Sequence, residues 1–486
     1  MLKYSIPILL ALSATAAVAR DTAGSPIVRT AYGRVQGAPA DPSGDVWVYR
    51  GLPYAAPPTG ALRWREPQPP AAWHGVRTAT EAAPGCIQSV VDSRPPWTEA
   101  FMHHGPVSED CLYLNLWTPA HRSARSLPVL VYIYGGGFSE GSISVPLYDG
   151  AALARHQVVV VTINYRLGAL GFLAHPALTD ESSHHASGNY GLLDQVAALR
   201  WVRSNIAAFG GDARRVTIAG QSAGALSVYL LTASPLARGL FRGAIVQSGP
   251  GALAALGVGD LRAMTQPRED AEKAGASFAL GLGATTAAEL RALDAARLLP
   301  QPTAATRLRW GPSVDGWFLP VDVETIYARH AQNDVPLLIG MMHDEGSAFP
   351  GYTPERAREL RERSLTGLDQ LLSERARTSR QPAYAYYFQH AIPWPQQPQY
   401  GAFHSGELPY VFDNLAQLER PWSAADRALA AAASAEWAAF TAQGKPSPAG
   451  LPSWDPYVPG SRKFMVFGDS LEMRTLREAP VSGTDH

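Results

Sequence analysis

The chain has 486 residues, 46% of them hydrophobic and 17% charged, and a formal net charge of -1, an ordinary balance for a globular protein. So small a net charge offers no field for drawing in nucleic acid or an anionic membrane surface. Beyond the N-terminus no stretch is apolar enough to span a bilayer.

In chain order, the first feature combines Lys3, the apolar run Ile8-Leu9-Leu10-Ala11-Leu12 and the small-residue exit Ala17-Val18-Ala19. This is the pattern of a cleavable signal peptide, too short in its apolar core to be a membrane helix. Cleavage is expected after Ala19, so residues 1–19 are read as a leader and 20–486 as one domain, exported to the periplasm or secreted. In an oxidising compartment Cys86 and Cys111 are expected to form a disulfide; two buried free thiols are the alternative.

Apolar, β-branched runs follow at Pro128–Tyr134, Val158–Ile163, Val216–Ala219 and Gly243–Val246, the composition of buried strands in a mostly parallel sheet. Between the second and third, Val196, Leu199, Val202 and Ile206 recur at helical spacing and Gly210-Gly211 ends the helix, which makes a βαβ crossover. Later strands are predicted at Val335–Ile339 and Tyr384–Phe388. Between them Glu355, Arg356, Arg358, Glu359, Arg361 and Glu362 read as a solvated helix. Segments 251–310 and 390–403 are rich in Ala, Gly, Pro and Gln. Insertions over the sheet are expected near 251–330 and 346–403.

Gly220-Gln221-Ser222-Ala223-Gly224 joins the strand ending at Ala219 to the helical run Ala225–Leu231. A strand-to-helix turn this tight needs tiny side chains two residues either side of the serine, and it exposes that serine at a helix N-terminus. This is the context of a nucleophile elbow. A hydroxyl nucleophile in acyl transfer also needs donors for the oxyanion that forms. Tyr134-Gly135-Gly136-Gly137-Phe138, at the end of a predicted strand, supplies the amides of Gly136 and Gly137 beside that of Ala223.

With these motifs in view the sequence resembles the type-B carboxylesterases, the group that includes cholinesterases and the adhesion protein neuroligin. The resemblance runs from Gly33-Arg34-Val35 to Met465-Val466-Phe467 and is most specific at Glu109–Asn115, Asn164–Gly168, Gly188–Gln195 and the elbow. It implies an α/β-hydrolase fold and a triad in the order serine, acid, histidine. Met342-His343-Asp344-Glu345-Gly346-Ser347 resembles the acid motif, making Glu345 the candidate and Asp344 its competitor. Gly401–Phe412 resembles the histidine segment, making His404 the base; His343 belongs to the acid's own loop. The pairs His103-His104 and His184-His185 are read as polar loop residues. The resemblance also implies buried ion pairs Arg63–Glu109 and Arg166–Asp194, and it gives Cys86 and Cys111 the positions of the family's first disulfide.

The sequence departs from the family in two places. Gln221 stands where cholinesterases carry a glutamate, which argues against choline esters. Only 59 residues separate Glu345 from His404, shorter than usual, which predicts a more open cleft able to take bulky or aromatic esters. Pro95, Pro96, Trp97, Phe101 and Met102 are candidate rim residues. The expected reaction is hydrolysis of a small-molecule carboxylic ester through an acyl-enzyme, with no cofactor, no metal and no nucleic-acid partner. The rival readings are a catalytically silent binding or adhesion protein on the same scaffold, and a hydrolase of an amide, carbamate or lactone.

Overall fold

The computed structural model describes residues 26–91, 93–121, 125–252, 265–299 and 310–476. The expected leader, 1–19, lies outside the described residues, as do 253–264 and 300–309 within the first expected insertion.

An eleven-stranded sheet is built from β1 (Ala38–Pro39), β2 (Val46–Pro53), β3 (Tyr113–Pro119), β4 (Leu127–Ile133), β5 (Val159–Ile163), β6 (Gly211–Gln221), β7 (Gly243–Gln247), β8 (Leu337–Met342), β9 (Ala383–Phe388), β10 (Lys463–Phe467) and β11 (Leu471–Thr475). Across the sheet the order is β11-β10-β9-β8-β7-β6-β4-β5-β3-β2-β1. Every pair from β5 to β10 is parallel, whereas β5–β3, β3–β2, β2–β1 and β10–β11 are antiparallel. The parallel centre explains the unbroken Val and Ile runs. Val129, Val131, Val159, Val161, Ile218 and Ile245 are fully buried, because helices cover both faces and neither face can be polar. This is the α/β-hydrolase architecture expected from the sequence.

The predicted crossover forms. Helix α1 (Tyr190–Asn205) links β5 to β6, which lie on either side of β4; a 3-10 turn (Ile206–Phe209) follows it, and Gly210 ends that turn with φ 85°. Helix α2 (Ala223–Ala233) follows β6 directly. The charged segment is helix α3 (Pro354–Thr378), and here the solvated reading needs correction. Its Arg356 and Arg358 are exposed, but Leu360, Leu365, Leu368 and Leu372 are buried on the opposite side. The charges mark one face of an amphipathic helix. Helix α4 (Ala424–Gln443) opens with a capping box between Ser423 and Asp426 and ends at Gly444, both standard stabilising terminations.

Cys86 and Cys111 are bonded. Arg63 grips Glu109 through Nε and Nη2 at 2.7 and 2.6 Å, and Arg166 grips Asp194 at 2.8 and 2.7 Å. The second pair is the more deeply buried, with side chains 4% and 0% exposed.

Candidate active site

The elbow is set by steric exclusion. A Cβ on Gly220 would lie 2.4 Å from the Gly224 carbonyl oxygen, and one on Gly224 would lie 2.0 Å from that of Ile133. No side chain survives such contacts, so the two glycines let β6, α2 and the end of β4 approach one another. Between them Ser222 adopts φ 57° and ψ -122°, a conformation that costs an L-residue about 1–3 kcal/mol and persists only where the surroundings enforce it. They do so here: the Ser222 amide donates to the Gln247 carbonyl, and its own carbonyl accepts from Leu226, both at 2.9 Å.

The glycine loop leaves β4 beside this turn. Gly136 and Gly137 have φ values of 101° and 61°, and the Gly136 carbonyl closes the turn by accepting from Ser139 and Glu140, each at 3.1 Å. Among the described residues the amides of Gly136, Gly137 and Ala223 donate to no protein acceptor.

Two further loops converge on the serine. His404 Nδ1 lies 2.5 Å from Glu345 Oε2, and Glu345 Oε1 accepts from the Met342 amide at 2.9 Å; both side chains are buried. Asp344, adjacent in sequence, is engaged elsewhere. Its carboxylate accepts from the Ala402 amide at 3.0 Å and pairs with Arg361 at 3.1 Å, tying the loop of Glu345 to that of His404. His343 turns away and is hydrogen-bonded to the Tyr387 hydroxyl at 2.7 Å.

A model of the carboxylesterase family matches residues 24–376 and 364–482. The chain belongs to the carboxylesterase family. It is 38% identical to a fumonisin B1 esterase of Sphingopyxis macrogoltabida, over 95% of this chain and 90% of that protein. It is 36% identical to the para-nitrobenzyl esterase of Bacillus subtilis, over 94% and 97%. A mouse cholinesterase is 38% identical over 68% of this chain and 56% of its own. A solved PNB esterase structure superposes with a TM-score of 0.78 at 33% identity, covering 93% of this chain and 98% of that one.

Ser222 of this carboxylesterase opens onto a cleft of about 910 Å³. Of the candidate rim residues Pro95, Trp97, Phe101 and Met102 line it, and Pro96 does not. Trp97 meets His404 edge-on, with ring centroids 6.5 Å apart, and Phe349 covers another side of the imidazole at 5.3 Å. Much of α3 faces the esterase's cleft as well, through Arg356, Leu360 and Arg363.

Three features of the esterase site escaped the sequence. Gln221 Nε2 stands 3.1 Å from His404 Nε2, whereas no Ser222–His404 hydrogen bond occurs among the described residues. Glu407 is fully buried three residues after His404; burial, and then the charge of Glu345, push its carboxyl up to about 7. Its Oε1 accepts from Gln247 at 3.3 Å, while Oε2 has no partner among the described residues. The available signal was a lone carboxylate opening the apolar run Leu408–Phe412. Finally, His103 is a polar loop residue that is buried, with Nδ1 2.9 Å from Ser144 Oγ and Nε2 3.1 Å from the Pro106 carbonyl oxygen.

Proposed function

We propose that this carboxylesterase hydrolyses its esters through a covalent acyl-serine at Ser222, with His404 as base, Glu345 as its orienting acid and the amides of Gly136, Gly137 and Ala223 as oxyanion donors. Ser222 Oγ attacks the ester carbonyl carbon while His404 Nε2 takes the hydroxyl proton. The carbonyl oxygen becomes an oxyanion facing the three amides. Collapse breaks the bond to the alkoxy group, which leaves as the alcohol with the proton from His404. Water then attacks the acyl carbon, giving its proton to the same nitrogen; collapse breaks the bond to Ser222 Oγ, which takes the proton back from His404, and the acid departs.

The observation that carries this reading is the 2.5 Å contact of His404 Nδ1 with Glu345, made beside a serine in an enforced elbow conformation. A carboxylate at Nδ1 keeps the proton there and leaves the Nε2 lone pair available as a base. That lone pair faces the Gln221 amide, so reaction includes a small turn of the imidazole toward Ser222; such catalytic hydrogen bonds commonly tighten only when substrate binds.

The substrates belonging to this reading are bulky or aromatic carboxylic esters. A cleft of about 910 Å³ with Trp97, Phe101, Phe138, Phe349 and Tyr352 on its walls supports that choice, being at the upper end of ligand-site volumes. Relatives acting on fumonisin B1 and para-nitrobenzyl esters fit the same class. Export belongs to the reading too, supported by the bonded cysteines and the N-terminal pattern; N-terminal sequencing of the protein from its native cell tests it, and a chain retaining Met1 in the cytoplasm would contradict it.

The deciding experiment is hydrolysis of p-nitrophenyl acetate and butyrate by wild type and Ser222→Ala, with folding checked by circular dichroism. Loss of activity in a folded variant is expected. A folded wild type inert across a wide ester panel would turn the assignment toward a binding protein.

A further inference from the structure

Gln88 is buried, 4% exposed, two residues after Cys86. Its carboxamide is matched to the backbone of Gly141: Nε2 donates to the Gly141 carbonyl and Oε1 accepts from the Gly141 amide, both at 2.8 Å. The second Nε2 proton reaches the Cys86 carbonyl at 3.0 Å. Both donors and the acceptor of this side chain are therefore used, and two of the three contacts pin one residue of another loop.

That loop is the one carrying Gly136 and Gly137. It leaves β4 at Tyr134, folds back through the bonds from Ser139 and Glu140 to the Gly136 carbonyl, and reaches Gly141 with left-handed residues at Gly136, Gly137 and Phe138 along the way. Such a turn has few internal bonds with which to fix its amides. Restraint comes from outside: the Phe138 carbonyl accepts from the Gly168 amide at 2.7 Å, and the far end is held by residues between Cys86 and Cys111. Beside Gln88, Arg94 pairs with Glu140 and His103 holds Ser144.

We infer that Gln88 is a positioning residue of the esterase, which through its paired hydrogen bonds to Gly141 holds the amides of Gly136 and Gly137 in register with Ser222. The inference rests on the oxyanion role proposed above for those amides. Its physical basis is that hydrogen bonds stabilise an oxyanion by pre-set direction, so a small displacement of the donors is felt in the transition state and hardly in ground-state binding.

The test compares a trifluoromethyl ketone with the methyl ketone of the same skeleton as inhibitors. The fluorinated ketone takes Ser222 Oγ onto its carbonyl carbon and passes the serine proton to His404; its oxygen then carries the negative charge, and no group leaves. The methyl ketone binds without forming that adduct. The ratio of their inhibition constants thus reads adduct formation, and because Gln88 is bonded to Gly141 and Cys86 and to neither Ser222 nor His404, a change on altering Gln88 is read at the oxyanion donors. In Gln88→Ala, and in the near-isosteric Gln88→Glu, which keeps the acceptor and turns the donor into a repelling carboxylate, the ratio should fall ~10–100-fold together with kcat, the range expected for misplaced oxyanion donors. KM and the methyl ketone constant should stay near wild type.

A folded variant with the wild-type ratio overturns the inference, as does one in which both ketones weaken equally. If neither variant shows a cooperative melt, Gln88 is a folding residue and the positioning role is likewise overturned. A wild type that binds both ketones alike would instead remove the proposed oxyanion function itself, and this inference with it.

Discussion

Gln221 and His404 face each other nitrogen to nitrogen, amide Nε2 to imidazole Nε2, at 3.1 Å. With Nδ1 committed to Glu345 at 2.5 Å, only Nε2 can accept, so Gln221 donates to the lone pair assigned above to the proposed base. A carboxylate at the same distance would favour the protonated ring, since opposite charges within ~4–6 Å stabilise the charged form. Gln221→Glu is accordingly expected to move the acidic limb of the kcat/KM profile to higher pH and to lower activity at pH 7. A pH–rate profile superimposable on wild type would show that Gln221 does not touch the base in solution.

Glu407 gives a second pH effect, read in stability. Burial first, and then the charge of Glu345, raise its carboxyl from an ordinary 4.5 to about 7. Between those values the folded protein holds a proton that the unfolded chain has released, so stability falls as pH rises through this window and levels off above it. The shift corresponds to ~3 kcal/mol at most, as an order of magnitude. Glu407→Gln keeps the acceptor for Gln247 and removes the titration. The variant should gain on wild type between pH 5 and pH 8 in denaturant midpoint. Glu436, also buried and raised to about 7, leaves a residual slope of the same sign. Equal gains at both pH values would show that Glu407 is not held protonated.

Where local sterics decide the structure, the sequence already carries it. Gly220 and Gly224 are obligatory because their neighbours are backbone oxygens, and the valine runs of β4 and β5 can only be buried strands. Glu345 and His404 became readable through the family pattern. That Glu345 and not Asp344 meets His404 was not readable, because adjacent residues differ only in which way the loop turns them, and that depends on Arg361 and the Ala402 amide. Gln221 and Glu407 escaped for a related reason: each acts through one atom's position relative to a residue 183 or 160 positions away. The two-residue strand β1 (Ala38–Pro39) has too few residues to show a period. Helix α3 was half-read because its charges are denser than its leucine stripe.

Arg166 and Asp194 are joined by two side-chain bonds and by the Arg166 amide, which donates to Asp194 at 3.0 Å. The pair fastens the segment after β5 to α1 in the interior. Removing one partner leaves the other charge buried without compensation, and Arg166→Ala is expected to cost about 3–5 kcal/mol. Arg65–Glu181, whose arginine is 44% exposed, should contribute within ~1 kcal/mol. Comparable midpoints for Arg166→Ala and Arg65→Ala in urea unfolding would contradict the assignment of the first pair as a structural clasp.

Glu345 and His404 are 59 residues apart, and 25 of the residues between them form α3, which reaches the cleft only through Arg356, Leu360 and Arg363. Aromatic side chains line it: Phe349, Tyr352 and Tyr400 from this segment, Trp97 and Phe101 from between the two cysteines. Apolar walls reward added substrate surface at about 0.8 kcal/mol per buried methylene, whereas a closed gorge would exclude it. Across p-nitrophenyl esters lengthened from acetate to octanoate, and acetates enlarged from phenyl to naphthyl, whose leaving groups are alike, no member should therefore fall more than roughly tenfold below its parent in kcat/KM, about 1.4 kcal/mol in transition-state binding. A hundredfold fall at the first bulky member of either series would mean that the cleft closes over small esters. The missing residues between Glu345 and His404 would then be replaced by another segment of the chain.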